Sequence, residues 1–370
     1  SDFMGLPQLT FELKKAADTV VARTTQGIIG MILKDTKALG VHVIYQESDI
    51  PTGLGADNIA YIKRALTGYI NRPSCIYLAV VDSTSGTVSG GFADLGQYSY
   101  DYLVGPPDIA SPDTTSLATL VTNQRKNRYI GKLVLPSTAS DNEGIINFTA
   151  TNIKVGSTTY DAGDYASRIA GVLAGTPVSC SATNAPLPEV TGVDAVEDPD
   201  DAIDGGELIL INDGRQVKLS RAVTSLVTLG DKPAALKKIK MVAAVDLIRY
   251  YALTTIEDNY LGKCANTYDN KCILLTALRS YLQTLENGDV LLEKSSGAEL
   301  DATAIREFLI NQATEAGDTD EVNRIKALDD AAVIKEDTGS YVFIKIYGYV
   351  LDAMEDFAVV LEVSNGLMAA

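Results

Sequence analysis

Very few residues of this 370-residue chain have the types and spacing that catalysis requires. The single histidine, His42, lies in an alternating stretch typical of a strand, and no serine stands in a nucleophile-elbow motif. A Ser-His-Asp triad could use only His42 as its base. A histidine packed in a strand, or facing solvent from it, is the simpler interpretation.

Candidates for binding a metal or a phosphate are equally weak. Cys264 and Cys272 are separated by a spacing that no common zinc motif uses. The acidic run at 197–207 lacks the alternating carboxylates of an EF-hand loop. The glycine-bearing stretch at 86–96 lacks the lysine of a P-loop. The sequence therefore predicts no cofactor and no metal, while its 48 acidic residues leave a catalytic carboxylate pair open.

Charge limits the partners of the chain. A net charge of -17 and a pI of about 4.5 argue against nucleic acid and anionic membranes. No apolar run reaches the roughly 20 residues of a membrane-spanning helix. The densest positive cluster comprises Lys232, Lys237, Lys238 and Lys240. These lysines either meet acidic groups or form the solvated start of a helix.

The elements that would position a site alternate between strands and helices. Apolar runs at 27–33 and 76–81 predict buried strands, and helical spacing at 56–68 predicts an amphipathic helix between them. Strand, helix and strand in this order predict a parallel α/β sheet. Short strands and hairpins are predicted from residue 141, among them a strand at 207–211. Long helices are predicted at 233–257 and 269–286, and shorter ones at 113–126, 162–174 and 320–331. The predicted fold class is α/β, α+β overall, with several domains and a mixed sheet flanked by helices.

Both ends of the chain carry alternating apolar strands. The pattern covers a stretch near the N-terminus and the two runs 341–347 and 357–363. Strands of this kind need a sheet to join, because a two-stranded unit alone is marginal in water. Either they close a sheet within the molecule or they pair with neighbouring molecules. These predicted strands include Leu9, Phe11, Leu13, Phe343, Lys345, Tyr347, Phe357, Val359 and Leu361.

An ordered set of short stretches connects the two ends: 5–11, 27–35, 143–149, 168–177, 206–211, 221–226, 238–240, 246–248, 259–266 and 350–356. This set resembles the contractile tail sheath proteins of myophages, prophages and R-type bacteriocins. Residues 82–142 contribute little to the resemblance. Its specificity lies in the order of the stretches, because no single one of them is diagnostic.

The resemblance implies a structural subunit rather than an enzyme. Such subunits stack as six-membered rings, helically arranged, around a tail tube. They contract from an extended to a short, wide lattice, which drives the tube through a cell envelope. The implied partners are further copies of the chain, the tail tube protein, and the baseplate and tail terminator proteins, with no nucleic acid and no membrane. Assembly is expected in the bacterial host cytoplasm, and the product is a virion or phage-tail-like particle.

The terminal strands and the long helices need each other's apolar faces, and this predicts a division of the chain. We predict an N-terminal arm at 1–19, an α/β body at 20–229 and a C-terminal sheath domain with a terminal strand arm at 230–370. Residues 82–142 could form a subdomain inserted in the body. In sheath proteins extended terminal β-arms add strands to the sheets of neighbours, where main-chain hydrogen bonds supply affinity. The resemblance implies that the nine strand residues named above, from Leu9 to Leu361, belong to such arms.

Two other functions stay open from the sequence alone. The first is an α/β enzyme of unknown reaction whose terminal strands close its own sheet. A concave site with perturbed carboxylates would favour that enzyme, whereas projecting terminal arms would favour the sheath. The second is another tail component, such as a tube or baseplate protein, although the size and mixed pattern argue against a tube.

Overall fold

The structure is a computed structural model that describes residues 27–127, 130–360, 363–364 and 367–368. Residues 1–26, and with them Leu9, Phe11 and Leu13 of the predicted N-terminal arm, lie outside this range. The strands of the described part are β1 (Ile28–Asp35), β2 (Gly40–Ile44), β3 (Cys75–Asp82), β4 (Tyr102–Val104), β5 (Lys132–Pro136), β6 (Ile145–Phe148), β7 (Ile153–Val155), β8 (Thr158–Tyr160), β9 (Val190–Gly192), β10 (Glu207–Leu208), β11 (Leu210–Asn212), β12 (Val217–Leu219), β13 (Gly297–Leu300), β14 (Ile344–Tyr347), β15 (Val363–Ser364) and β16 (Leu367–Met368).

Helices alternate with these strands in the first half and predominate after residue 238. They are α1 (Ala56–Leu66), α2 (Val88–Asp94), α3 (Asp113–Asn127), α4 (Ala162–Ala174), α5 (Pro199–Asp204), α6 (Ile239–Asn259), α7 (Tyr268–Glu286), α8 (Ala302–Glu315), α9 (Thr319–Ala327) and α10 (Asp330–Val333). Short 3₁₀ turns cover Glu47–Asp49, Leu95–Gln97 and Ala234–Lys237. The predicted α/β fold class with a mixed sheet and flanking helices is confirmed.

The largest sheet has seven strands in the order β10-β6-β5-β4-β1-β3-β2. All neighbours are parallel except β2 and β3, which pair antiparallel at one edge. Parallel neighbours need a crossover, and α1 supplies one between β1 and β3. The sheet is therefore built from the strand and helix alternation that the sequence predicts.

Helices cover both faces of this sheet. Met31 and Leu33 of β1 belong to the apolar core under α1 and α4, whereas Ile32 between them packs with α2 and α3. Both faces of β1 are thus buried, which is why its sequence is a continuous apolar run. Helices α1 and α4 approach closely at Gly171, where a Cβ would come within 2.3 Å of the Ala65 carbonyl oxygen.

A second apolar core lies among α6, α7, α8, α9, α10 and the strands β13 and β14. Helix α6 belongs to both cores, because Ile239 at its start packs in the first and Leu247 further along packs in the second. A single helix thereby connects the sheet-based part to the helical part. The predicted boundary near residue 229 and the inserted subdomain stay predictions.

Several predicted boundaries differ from the structure. The helix predicted from residue 233 begins at Ile239, after the 3₁₀ turn, and the helix predicted over 320–331 is the separate pair α9 and α10. The predicted strand at 207–211 is divided: β10 joins the large sheet beside β6, while β11 forms a hairpin with β12. Local alternation cannot reveal this division because the two pieces face different partners.

Candidate intersubunit surface

The two-stranded sheet of β13 and β14 lies on the surface of the helical part. The N–H of Asp301 donates to the Phe343 carbonyl at 3.0 Å, in line with the antiparallel register of the two strands. Hydrogen-bonded pairs alternate in such a ladder, so the odd-numbered residues of β14 bond to β13. The main-chain groups of Ile344 and Ile346 therefore point to the outer edge of β14, where the described part of the chain places no third strand.

The outer edge of β13 is already occupied. Arg279 of α7 donates its Nε–H to the Ala298 carbonyl oxygen at 2.7 Å. This contact satisfies a carbonyl that would otherwise face away from β14. Within the described residues, the edge of the small sheet that is open for strand pairing is therefore that of β14.

Three predicted arm residues lie in or beside β14. The ring of Phe343 packs on the ring of Phe308, with centroids 5.2 Å apart. The Lys345 Nζ lies 3.5 Å from a carboxylate oxygen of Glu299 on β13, and Tyr347 is half exposed. This stretch is thus paired with its own chain along one edge. Its part in subunit contacts stays a prediction.

Residues 351–360 form neither helix nor strand, although the sequence pattern predicts a strand from 357. Their apolar side chains are exposed: Met354 by 86%, Phe357 by 74%, Val359 by 85% and Val360 by 87%. Several large apolar side chains are seldom so exposed within one short segment unless they contact another surface. Phe357 and Val359 of the predicted arm lie in this segment, and Leu361 lies outside the described residues.

One side chain of this exposed segment points inward. The Glu355 side chain is 5% exposed, and four donors contact its carboxylate. Its Oε1 accepts hydrogen bonds from the hydroxyls of Ser181 at 2.9 Å and Thr183 at 2.7 Å. Its Oε2 accepts from Lys238 Nζ at 2.8 Å and Arg221 Nη1 at 3.3 Å. We call these five residues the carboxylate clamp.

Two further carboxylates flank the clamp. Asp352 pairs with Lys238 at 2.5 Å, and Asp356 pairs with Arg221 at 2.6 Å. Just before them, Lys240 Nζ donates to the Leu351 carbonyl at 2.7 Å. Residues 351–356 are therefore fastened to the sheet-based part at several points.

The clamp perturbs the pKa values of its charged groups. Burial alone would raise the pKa of Glu355, but hydrogen bonds from Lys238, Thr183 and Ser181 outweigh it and leave that pKa below its usual value. The hydrogen bond to Asp356 raises the pKa of Arg221, and the same bond lowers the pKa of Asp356. All these groups are therefore charged near neutral pH.

The positive cluster of the sequence is largely used within the chain. Lys238 and Lys240 hold the segment after residue 350, and Lys232 pairs with Glu143 at 2.8 Å. Lys238 and Lys240 therefore do not form a solvated helix start. Contact of this positive cluster with an acidic face of another subunit stays a prediction. No sequence pattern distinguishes Glu355, although it lies in the stretch 350–356 that carries the family resemblance.

The residues considered for chemistry are dispersed. The His42 Nε2 contacts the Ala38 carbonyl oxygen at 2.8 Å, beside strand β2. The acidic run holds α5, whose N-cap Asp198 accepts from the Asp201 N–H. In the parts of the chain that the structure describes, no three metal-ligating side chains come together, and no helix is long and apolar enough to cross a membrane.

Comparisons with known proteins point to one family. Residues 82–225 match the family model described as the phage tail sheath protein central domain. The tail sheath protein of Clostridium phage phiCD119 is 32% identical over 360 residues, which cover 95% of this chain and 98% of that protein.

Solved structures share the fold at low sequence identity. A sheath tail protein from Listeria innocua matches with a TM-score of 0.64 and 14% identity, over 78% of this chain and 90% of that one. The helical sheath of the anti-feeding prophage in its contracted state matches with a TM-score of 0.63 and 13% identity, over 98% of this chain and 100% of that one.

Proposed function

The chain belongs to the phage tail sheath protein family and is a structural subunit of a contractile tail sheath, and from this premise we propose that its terminal segments join neighbouring copies by strand exchange. The C-terminal segment after Asp356 leaves one subunit and pairs with the open edge of β14 in another. The N-terminal arm around Phe11 adds a further strand. Each subunit is then both donor and acceptor of strands.

One observation carries this proposal. Phe357, Val359 and Val360 are exposed apolar residues in a segment without a partner strand in its own described chain, while the main chain of Ile344 and Ile346 faces an open edge. A strand added at that edge would gain main-chain hydrogen bonds worth about 0.5–1.5 kcal/mol each. Its alternate side chains would leave water at the same time.

Repeated links of this kind allow contraction without breaking the lattice. The subunits form stacked six-membered rings around the tail tube and move from an extended to a wider arrangement. The energy comes from surface and charge pairs that become buried between subunits at every copy. The tail tube, baseplate and tail terminator proteins are the expected partners, and assembly takes place in the host cytoplasm.

We further propose that the subunit has no catalytic activity. The sequence has one histidine and no P-loop lysine motif, and within the described residues no metal-ligating cluster forms. Purified protein should show no ATPase, hydrolase or nuclease turnover. Turnover that followed the protein through purification would contradict this.

Removal of residues 357–370 tests the strand exchange. We expect the shortened chain to keep the melting temperature of the full chain and to form no tubes in electron micrographs of concentrated protein. Removal of residues 369–370 alone is the matched control and should leave tubes intact. Tubes formed by the chain that lacks 357–370 would overturn the proposal.

A further inference from the structure

The strand exchange leaves open how a segment as exposed as 357–360 is directed toward its acceptor. A chain end that hangs freely samples a large volume, and this freedom is lost when it docks. A fixed starting point reduces that loss and raises the local concentration of the arm at its acceptor. The residues just before 357 are in the position where such a fixed starting point would lie.

The segment before 357 crosses from one apolar core to the other. At its start, Val350 packs in the helical core, and the Leu351 N–H donates to the Val290 carbonyl at 3.0 Å. At its end, the clamp attaches Glu355 to residues that lie beside Ala182, Ala222 and Ile239 of the sheet-based core. The residues just before the exposed segment 357–360 are thus attached to the large, sheet-based part.

Burial singles out Glu355 within this stretch. Met354 before it and Phe357 after it are strongly exposed, while its own side chain is buried. A buried carboxylate is costly unless donors surround it, and the clamp supplies two hydroxyls and two cations. Because the four donors come from three stretches of the chain, at 181–183, 221 and 238, they fix both the position and the direction of the main chain at residue 355.

From this geometry we infer that Glu355 is a positioning residue, which sets the direction in which the C-terminal arm leaves the subunit before assembly. The inference rests on the proposed strand exchange. Arg221 and Lys238 bind the charge of the Glu355 carboxylate, and the hydroxyls of Ser181 and Thr183 set its orientation. The arm therefore extends toward a second copy of the chain from a fixed point at residue 355.

Glu355→Gln tests this role, because it keeps the shape of the side chain and removes its charge. Glu315→Gln, an exposed glutamate at the end of α8, is the matched control for the loss of one negative charge. Hydrogen–deuterium exchange is measured over 350–356 in dilute, unassembled protein. We expect exchange there to become about tenfold faster in Glu355→Gln, since charge-assisted bonds are lost, and to be unchanged in the control.

Assembly as a function of protein concentration separates positioning from mere stability. We expect Glu355→Gln to need several-fold more protein than wild type to form tubes, with the same melting temperature. The chain that lacks 357–370 should form none at any concentration. If Glu355→Gln exchanges and assembles like Glu315→Gln, or exchanges faster but assembles at the wild-type concentration, the positioning role is wrong. Tubes from the chain without 357–370 would instead refute the strand exchange itself.

Discussion

Arg125 of α3 and Asp246 of α6 form a two-pronged ion pair inside the protein, with Nη1–Oδ2 at 2.8 Å and Nη2–Oδ1 at 2.9 Å. Both residues are buried, and Lys132 of β5 adds a third contact to Asp246 at 3.0 Å. The pair joins a helix on the large sheet to the helix that both apolar cores share. It therefore connects the sheet-based part of the subunit to the helical part.

Asp246→Ala should destabilise the protein strongly. It would leave Arg125 and Lys132 buried without their shared anion, a change that costs about 3–5 kcal/mol in comparable sites. Urea unfolding at neutral pH measures the effect as a lower midpoint. Asp258→Ala, at an exposed position of the same helix, is the control and should leave the midpoint unchanged. Equal midpoints for the two variants would show that the ion pair does not hold the parts together.

Because of the Asp246 carboxylate, we expect the free energy of unfolding to depend on pH. Burial alone would raise the pKa of Asp246, but Arg125 and Lys132 outweigh it, and the pKa lies below its usual value. Arg249 adds a positive charge nearby, and Glu143 adds a negative one. Because its pKa is lowered in the folded state, Asp246 stabilises the fold at pH values above the usual pKa of an aspartate. This contribution is lost as the pH falls through the lowered pKa.

The measurement compares wild type with Asp246→Asn in urea at several pH values. The free-energy gap between them should be constant above about pH 5 and shrink by about 1.4 kcal/mol per pH unit below about pH 4. A gap that stays constant or grows in acid would contradict the assignment of the lowered pKa to Asp246.

Proline can block the open edge of β14 without breaking the hairpin. Ile346→Pro removes an N–H that points away from β13, so pairing with β13 should persist while strand addition fails. Lys345→Pro removes an N–H that bonds to β13 and should lower the melting temperature further. Ile346→Ala controls for the lost side chain and should still form tubes. Tubes from Ile346→Pro would exclude this edge as the acceptor.

The predicted N-terminal arm gives a parallel test. Removing residues 1–14 should leave the body folded, since its first described strand begins at Ile28, and should abolish tubes. Phe11→Asp should act likewise, because it puts a charge on the face expected to be buried. Thr10→Asp puts the same charge on the opposite face and is the control. A melting temperature lowered by several degrees would favour an arm that closes its own sheet instead.

Because α1 packs closely on α4, we expect an added methyl group at this contact to destabilise the protein. Gly171→Ala places a methyl group against the Ala65 carbonyl oxygen, and overpacking of this kind costs roughly 1–3 kcal/mol. Gly96→Ala meets no atom within 4 Å and is the matched control. Thermal melts of the two variants should differ by several degrees, and identical melts would mean that the helices adjust freely.

Much of the fold could be predicted from the sequence because its elements are set by local burial. The continuous apolar runs of β1 and β3 predict strands covered on both faces, and the structure covers both faces with helices. Helices such as α3, α4 and α7 begin within a residue of their predicted positions. The family resemblance was also carried by sequence, and the comparisons confirm it.

Less of the candidate surface could be predicted, because its key contacts join residues far apart in the chain. Arg221 and Glu355 are separated by 134 positions, and Arg125 and Asp246 by 121. An acidic residue in an exposed segment shows no periodicity that would reveal its burial. The sequence shows that Lys238 and Lys240 are positively charged, but only the fold shows which groups they contact.

The sequence by itself therefore determined the order and type of most elements, the absence of the familiar catalytic motifs and the family. These follow from residue types and from periodicities over a few turns of chain. Only the tertiary structure decided that β10 and β11 part to different sheets, that β14 keeps one edge open, and that Glu355 turns inward while its neighbours face solvent. The physical reason is that these outcomes depend on which distant main-chain edges and charges come together, and local pattern carries no record of those partners.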